Sequence, residues 1–448
     1  MLPRVVPAVL LLGACVVSAS ITVYGVSGAA QQTFDVTATA VSSASPSTYT
    51  AAAFNSVVLQ APEVPVPGPP TQFNLSLQSS SQNVAFLSIP QSGSFFGFSV
   101  EFSVVNQVGI PFNDTSNLRL GIAEVGELIL GDNLVGFQVG NEPDLYASHG
   151  HRPQNYSQGD YFNDFGIMVE AIGNDTLIPV RNNLIAPSVA TGPWTPESVW
   201  DTGFVGVYSD SLGALAVEHG FGPPKDPQTV FSNYLNHTSG IDIISAYLNS
   251  TNFAQQNGKP FLMFETNSAS CGGFPGVSDS FGIALWALDY GLQMAYSNFS
   301  GALLHVGGED DTYNWTVGPI FYAAVAVAET FGSSNASQIV DLQANGVNIF
   351  TPGYAIYENG NLARVALFNY VTDPTGASTY TASISITGGT VPSQVSVKYL
   401  LAPSVAEKTN ITWAGQTVAS KDQRRYKQSL ATKQLAFAKY KFPHLASL

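Results

Sequence analysis

Charge is scarce in this chain. Of its 448 residues only 10% are Asp, Glu, Lys or Arg, and 16 Lys and Arg stand against 31 acids. The net charge of −15 gives no electrostatic reason to bind nucleic acid or an anionic membrane. Cysteine is nearly absent, with only Cys15 and Cys271. Past the amino terminus there is no uninterrupted span of 18 apolar residues, the length a membrane-crossing helix needs. No Gly-rich phosphate loop follows the first strand pattern, which argues against an open dinucleotide-binding sheet. No cofactor and no metal is implied, and the oligomeric state is silent.

Apolar residues make up 45%, enough for one large core and a smaller domain. Ser, Thr, Asn and Gly fill the polar positions, a composition common on secreted, glycosylated surfaces. Residues 1–20 read as a signal peptide: Arg4, the apolar run Val5 to Val17, then Ser18-Ala19-Ser20. A short membrane anchor is the competing reading, and the run is too short for it. Ten N-x-Ser/Thr sequons support secretion: Asn74, Asn113, Asn155, Asn174, Asn236, Asn249, Asn298, Asn314, Asn335 and Asn410. Cys15 would leave with the signal peptide. Cys271 is then either a buried free thiol or lacks its partner in this chain.

Organisation changes along the chain. Residues 21–92 form an amino-terminal segment, with β-type alternation from residue 31 (Thr33-Phe34-Asp35-Val36-Thr37) and a Pro-rich stretch from Pro62 to Pro70. From 93 to 335 apolar strand-like runs alternate with helical stretches. The strand candidates are Phe95–Val105, Ile110–Phe112, Leu134–Val139, Leu184–Ala190, Leu212–Val217, Pro260–Phe264 and Gly301–Val306. Helical stretches are Asn117–Gly131, Asp160–Ile172, Pro196–Ser211, Pro227–Asn257 and Ser278–Ser297. The expectation is an α/β fold, a (β/α)8 TIM barrel, either one βα unit short or with Phe95–Phe112 as one irregular segment. Only Asn106 to Gly109 separate the first two strand candidates, and a parallel crossover needs at least about 10–12 residues. Residues 336–420 return to alternation, at Val347–Phe350, Ala363–Tyr370, Thr379–Ile386 and Val395–Leu401. They read as an all-β sandwich accessory domain to which residues 31–60 add strands. Residues 421–448 hold seven Lys/Arg and one acid, and read as a disordered end or a segment that binds acidic glycans.

Two strand ends carry the chemistry. Gly140-Asn141-Glu142-Pro143-Asp144 follows the apolar run Val135–Val139, and Phe264-Glu265-Thr266-Asn267 ends the run that begins at Phe261. In a barrel, residues at the carboxyl ends of strands face the active site. Paired carboxyls at one rim suit glycoside hydrolysis, in which one protonates the leaving oxygen and the other attacks the anomeric carbon. A separation of about 5 Å gives retention and a wider one inversion. Repulsion and partial burial would keep Glu142 protonated as the acid/base, while Glu265 stays ionised as nucleophile. Each motif alone also reads as an ordinary strand-ending turn; the pair is more specific. Asn141 can donate to a sugar hydroxyl.

Gly140–Tyr146 followed by His149-Gly150-His151-Arg152-Pro153, together with Phe264–Gly273, resembles glycoside hydrolase family 79 of the fungal β-glucuronidase type. The resemblance covers most of Thr48 to Thr417. It implies a (β/α)8 barrel, a β-sandwich partner, and release of glucuronic acid or its 4-O-methyl ether from a glycan or proteoglycan substrate. Against that family pattern the chain is short after Val108, past Val217-Glu218-His219 where relatives often carry a cysteine to partner Cys271, and after Gly308.

Lesser site candidates remain. Glu101 reads equally as a ligand for a sugar hydroxyl or a surface acid. His219 follows a strand and would orient Glu265, or fill the core. Tyr313 faces the uronate carboxylate by resemblance alone. His149 and His151 lack a third ligand in sequence reach and read as a solvated loop, as does Glu309-Asp310-Asp311. Two alternatives to an exo-β-glucuronidase stand. An endo-acting, heparanase-like enzyme needs a basic cleft, and only nine Lys/Arg precede the tail. A catalytically impaired glycan-binding relative follows from the missing βα unit.

Overall fold

The computed structural model describes residues 56–100, 134–220, 226–270, 273–306, 318–373, 375–389 and 394–417, with separate positions within 120–131, residue 392, and residues 434–436 and 446–447. The proposed signal peptide, Glu101, the 106–109 crossover, the Ile110–Phe112 strand, Cys271, residues 309–311 and Tyr313 lie outside the described residues.

After β1 (Gln72–Gln78) come six strands of one sheet: β2 (Phe96–Val100), β3 (Phe137–Gln138), β4 (Leu184–Val189), β5 (Leu212–Gly220), β6 (Phe261–Asn267) and β7 (Gly301–Val306). Their order is β2-β7-β6-β5-β4-β3, and every neighbouring pair is parallel. The first strand lies beside the last, the order of a sheet curling toward closure. The described strands thus form a parallel half-barrel.

Both faces of this sheet are covered, which is why its strands read as near-continuous apolar runs. Leu184, Ala186, Leu215, Val217, Phe261, Met263 and Ala302 belong to the main core. The alternate residues Ile185, Ala214, Ala216, Leu262 and Phe264 form a separate cluster with Leu303 on the other face.

The helices are α1 (Gln158–Asn174), α2 (Pro196–Trp200), α3 (Phe204–Val207), α4 (Pro227–Phe231), α5 (Thr238–Ile244), α6 (Leu248–Gln256), α7 (Phe281–Tyr296) and α8 (Pro319–Phe331). A capping box fixes the start of α1: Ser157 accepts from the Asp160 N–H, and the Asp160 carboxylate accepts from the Ser157 N–H. The sequence suggested one helix over Pro196–Ser211. Instead Gly203, at φ 86°, turns the chain left-handed between α2 and α3. Similarly Pro227–Asn257 is three short helices joined through 3-10 turns, not one.

The remaining strands are β8 (Ser337–Asp341), β9 (Gly353–Glu358), β10 (Asn361–Leu367), β11 (Thr381–Thr387), β12 (Gln394–Ser396), β13 (Lys398–Leu401), β14 (Thr412–Trp413), β15 (Gln434–Ala436) and β16 (Ala446–Ser447). Sheet order is β14-β13-β16-β10-β9-β8, with separate pairs β1-β11 and β12-β15. β1 runs parallel to β11 over seven residues, Gln72 opposite Thr381 to Gln78 opposite Thr387. Val347–Phe350 is not a strand, because Asn345 and Gly346 adopt left-handed conformations and turn the chain there. The described parts of the basic end, β15 and β16, are paired with neighbouring strands, where no fixed structure was expected.

Alternation in β9 divides two cores. Tyr354 and Ile356 join the main core, while Ala355 and Tyr357 pack with Leu75 and Leu77 of β1 and Ala382 of β11. The β8–β10 sheet is therefore sealed between the barrel helices and the β1-β11 pair.

Candidate active site

Glu142 sits where β3 ends and a 3-10 turn, Pro143–Leu145, begins. Its backbone is left-handed, φ 49° and ψ 56°. Such a conformation costs a non-glycine residue about 1 kcal/mol or more and needs surrounding structure to hold it. Three contacts do so. The Glu142 N–H donates to Ser188 O at 3.1 Å. The buried Asp144 carboxylate accepts from the Ala190 and Gly192 N–H groups, each at 2.9 Å. Upstream, Gly140 takes φ 89°, and a Cβ there would press within 3.1 Å of the Tyr146 hydroxyl and the Tyr161 ring. The Glu142 loop is thus tied to the loop after β4.

Glu265 lies on β6, directly opposite Glu218 of β5 in the parallel register. Its Oε2 is 3.6 Å from His305 Nδ1, on β7. The same His305 nitrogen is 2.9 Å from Ser99 Oγ on β2, and the His305 carbonyl accepts from Asn267 Nδ2 at 2.8 Å. Four strand ends therefore meet around Glu265.

Glu218 is the residue that sequence reasoning passed over, and only 2% of its surface is exposed. Gln138 Nε2 donates to its Oε1. Burial pushes its pKa well above the usual carboxylate range. The charges of Glu265, Glu142 and Asp144 push the same way, and the Gln138 hydrogen bond opposes them. Glu142 and Glu265 are thus both within electrostatic reach of one buried carboxyl, although they are 123 residues apart in sequence. A signal was present in the sequence: Ala214, Ala216 and Glu218 alternate on one face of β5, so the acid continues the line of the inner cluster. His305 and Gln138 gave no comparable signal, since their roles arise from pairing across strands.

Asn141 is exposed, and its amide contacts both Gln138 and Glu218. His219 Nδ1 is 2.7 Å from the Tyr247 hydroxyl, which in turn lies 2.8 Å from Thr191 Oγ1. Burial lowers the His219 pKa, favouring the neutral ring. A described polar partner of His219 is thus Tyr247. The ring next to Glu265 is His305. His149 and His151 are exposed with their rings edge-on, 6.1 Å apart. Among the described residues no group of three His, Cys, Asp or Glu gathers to hold a metal ion.

Residues 353–436 match the glycosyl hydrolase family 79 C-terminal beta domain. The chain is 27% identical over 344 residues to a β-glucuronidase of Aspergillus niger, covering 68% of this chain and 63% of that protein. The carboxyl-terminal β region is thus similar to that of glycosyl hydrolase family 79 proteins. A β-glucuronidase of Neurospora crassa is 25% identical over 343 residues, covering 64% of this chain and 61% of that protein. The chain therefore spans less than two thirds of the length of these curated relatives. The fold of this chain is similar to that of a 4-O-α-L-rhamnosyl-β-D-glucuronidase from Fusarium oxysporum 12S, solved with Rha-GlcA. The TM-score is 0.63 at 18% identity, over 84% of this chain and 97% of that one.

Proposed function

We propose that this chain is a secreted, retaining glycoside hydrolase that releases β-linked glucuronic acid, or its 4-O-methyl ether, from glycans. The architecture that goes with this reading is a (β/α)8 barrel with a β-sandwich partner domain. Glu265 attacks the anomeric carbon while Glu142 gives its proton to the glycosidic oxygen, so the glycosidic bond breaks and a glycosyl ester forms on Glu265. Glu142, now ionised, takes a proton from water. The resulting hydroxide attacks the same carbon and frees Glu265, with net retention. Asn141 donates to a sugar hydroxyl. The neighbouring His305 steadies the Glu265 carboxylate, and His219 lines the rim through Tyr247. The roles of Glu101 and Tyr313 rest on the family resemblance.

The observation that carries the reading is Glu265 of β6 set opposite the buried Glu218 of β5, whose pKa the charges of both Glu265 and Glu142 raise. Support comes from the names of the two curated relatives, both β-glucuronidases. The test is hydrolysis of a chromogenic β-glucuronide by the full chain. Glu142→Gln is expected to lower kcat at least about a hundredfold, and Glu265→Ala more than about a thousandfold. Proton NMR of the first-formed sugar is expected to show the β anomer. Unchanged rates in either variant, or an α anomer first, would overturn the assignment.

A glycan-binding relative without turnover is the second reading. It is favoured by the count of six parallel strands among the described residues, where a closed barrel has eight. Calorimetric binding of a glucuronide with no release of product would select it.

A further inference from the structure

Gln138, Asn141 and Glu218 form a closed triangle of polar contacts. Gln138 Nε2 meets Glu218 Oε1. The same nitrogen lies 3.1 Å from the Asn141 side-chain oxygen. The Asn141 atom in that position is also 3.2 Å from Glu218 Oε1 and 3.3 Å from Oε2. An amide nitrogen only donates, an amide oxygen only accepts, and a carboxylate only accepts. With Asn141 oxygen inward, that oxygen faces an acceptor on Glu218. Turning the Asn141 amide over relieves that contact but sets its NH2 group against the Gln138 NH2 group. Turning both amides sets the Gln138 oxygen against Glu218. Three mutual contacts cannot all be donor to acceptor unless one member is both, and only a carboxylic acid is both.

We propose that Glu218 is a positioning residue of this site, present as the neutral acid, accepting from Gln138 and donating its proton to the Asn141 side-chain oxygen. The proposal rests on the glycosidase reading for its effect on turnover, not for its hydrogen-bond logic. Locked in this way, the Asn141 amide keeps its nitrogen on the side away from Glu218, where it donates to a sugar hydroxyl. The neutral acid also spares Glu142 and Glu265 a third negative charge at close range. Glu218 is surrounded by titratable groups from each neighbouring element. Glu265 faces it from β6, Glu142 and Asp144 from the turn after β3, and Tyr161 from α1. None of them is a cation. Burial, the largest contribution, and these like charges both favour the protonated form.

Glutamine at 218 has both an acceptor and a donor and does not titrate, whereas alanine has neither. Glu218→Ala is expected to lose roughly ten- to hundredfold in kcat/KM, because Asn141 and Gln138 lose a buried partner. Glu218→Gln is expected to recover most of that loss on the acid side. Infrared spectra of the whole protein near pH 7 read the proton directly. A protonated-carboxyl carbonyl band is expected in the native protein and absent from Glu218→Gln, so that it stands out in their difference spectrum. Two results would overturn the proposal: no such band in that difference, or equal loss in both variants. If the native chain hydrolyses no glucuronide, the glycosidase reading fails, and the infrared comparison still decides the state of Glu218.

Discussion

At the scale of single residues, Asp144 does as much for the site as the acids that flank it. It lies two positions after Glu142, is buried, and spends both oxygens on backbone N–H groups of the loop after β4. Those bonds hold a left-handed Glu142 that the chain would otherwise leave. Asp144→Ala leaves the part-buried hydrogen bonds of the Ala190 and Gly192 N–H groups without their acceptor. It is expected to cost about 2–3 kcal/mol of stability, read from urea unfolding, and to lower kcat more than it raises KM. A variant as stable and as active as the native chain would show that the turn holds itself. The Gly140-Asn141-Glu142-Pro143-Asp144 motif was legible in the sequence as a strand-ending acid. Asp144 as an anchor was not, because its partners are about 46 residues away along the chain.

At the scale of elements, α7 shows what periodicity hides. Nearly every residue from Phe281 to Ala295 is buried, so no polar face marks the helix. Its first two N–H groups are not capped by a local side chain. Phe281 N–H donates to Glu407 O and Gly282 N–H to Val405 O, each at 2.7 Å. This remote cap explains why the sequence before α7 carries no capping box. One polar knot interrupts the apolar surface. Asp289 of α7 accepts from the hydroxyls of Tyr354 (2.5 Å) and Tyr370 (2.9 Å), and its Oδ2 is 3.0 Å from His237 Nδ1. The other ring nitrogen of His237 is 3.1 Å from Asp341 of β8. Burial alone would lower the His237 pKa, but the charges and hydrogen bonds of Asp289 and Asp341 outweigh it and push the value up to about 10. The native state therefore keeps a proton that the unfolded chain releases above about pH 6.5. The stabilisation is complete below that pH and is lost as pH rises through about 10. Urea midpoints are expected to fall between pH 6 and 10, and His237→Gln to flatten that slope. Asp289→Asn is expected to cost roughly 3–5 kcal/mol by stranding a buried charge. A native midpoint independent of pH would contradict the assignment.

For the molecule as a whole, the main core runs without a break from the parallel sheet into the β-rich region. Phe261, Trp286 and Tyr290 belong to the same cluster as Ile339, Tyr354, Phe368, Leu400 and Trp413. A buried ion pair, Lys408 with Asp279, crosses the same boundary. The two regions are therefore expected to unfold together, with far-ultraviolet and near-ultraviolet circular dichroism giving coincident thermal transitions. A chain ending at Gly332 would uncover α7 and remove its cap, and is expected to bind a hydrophobic dye and lose its cooperative transition. A truncated chain that melts sharply would mean that the half-barrel stands alone.

The sequence alone determined the features that repeat locally. Both-face burial wrote the strands β4 to β7 as apolar runs, and strand ends marked Glu142 and Glu265. Helix breaks were less legible, because a single left-handed Gly203 outweighs helical composition on either side. Tertiary structure decided the rest. Glu218 became the centre of the site because register sets β5 beside β6, and because the fold brings the amides of Gln138 on β3 and Asn141 just after it onto its carboxyl. The cap of α7 and the proton on His237 likewise depend on residues from the far end of the chain. Hydrogen-bond complementarity and desolvation are properties of neighbours in space, and a linear pattern records only neighbours in sequence.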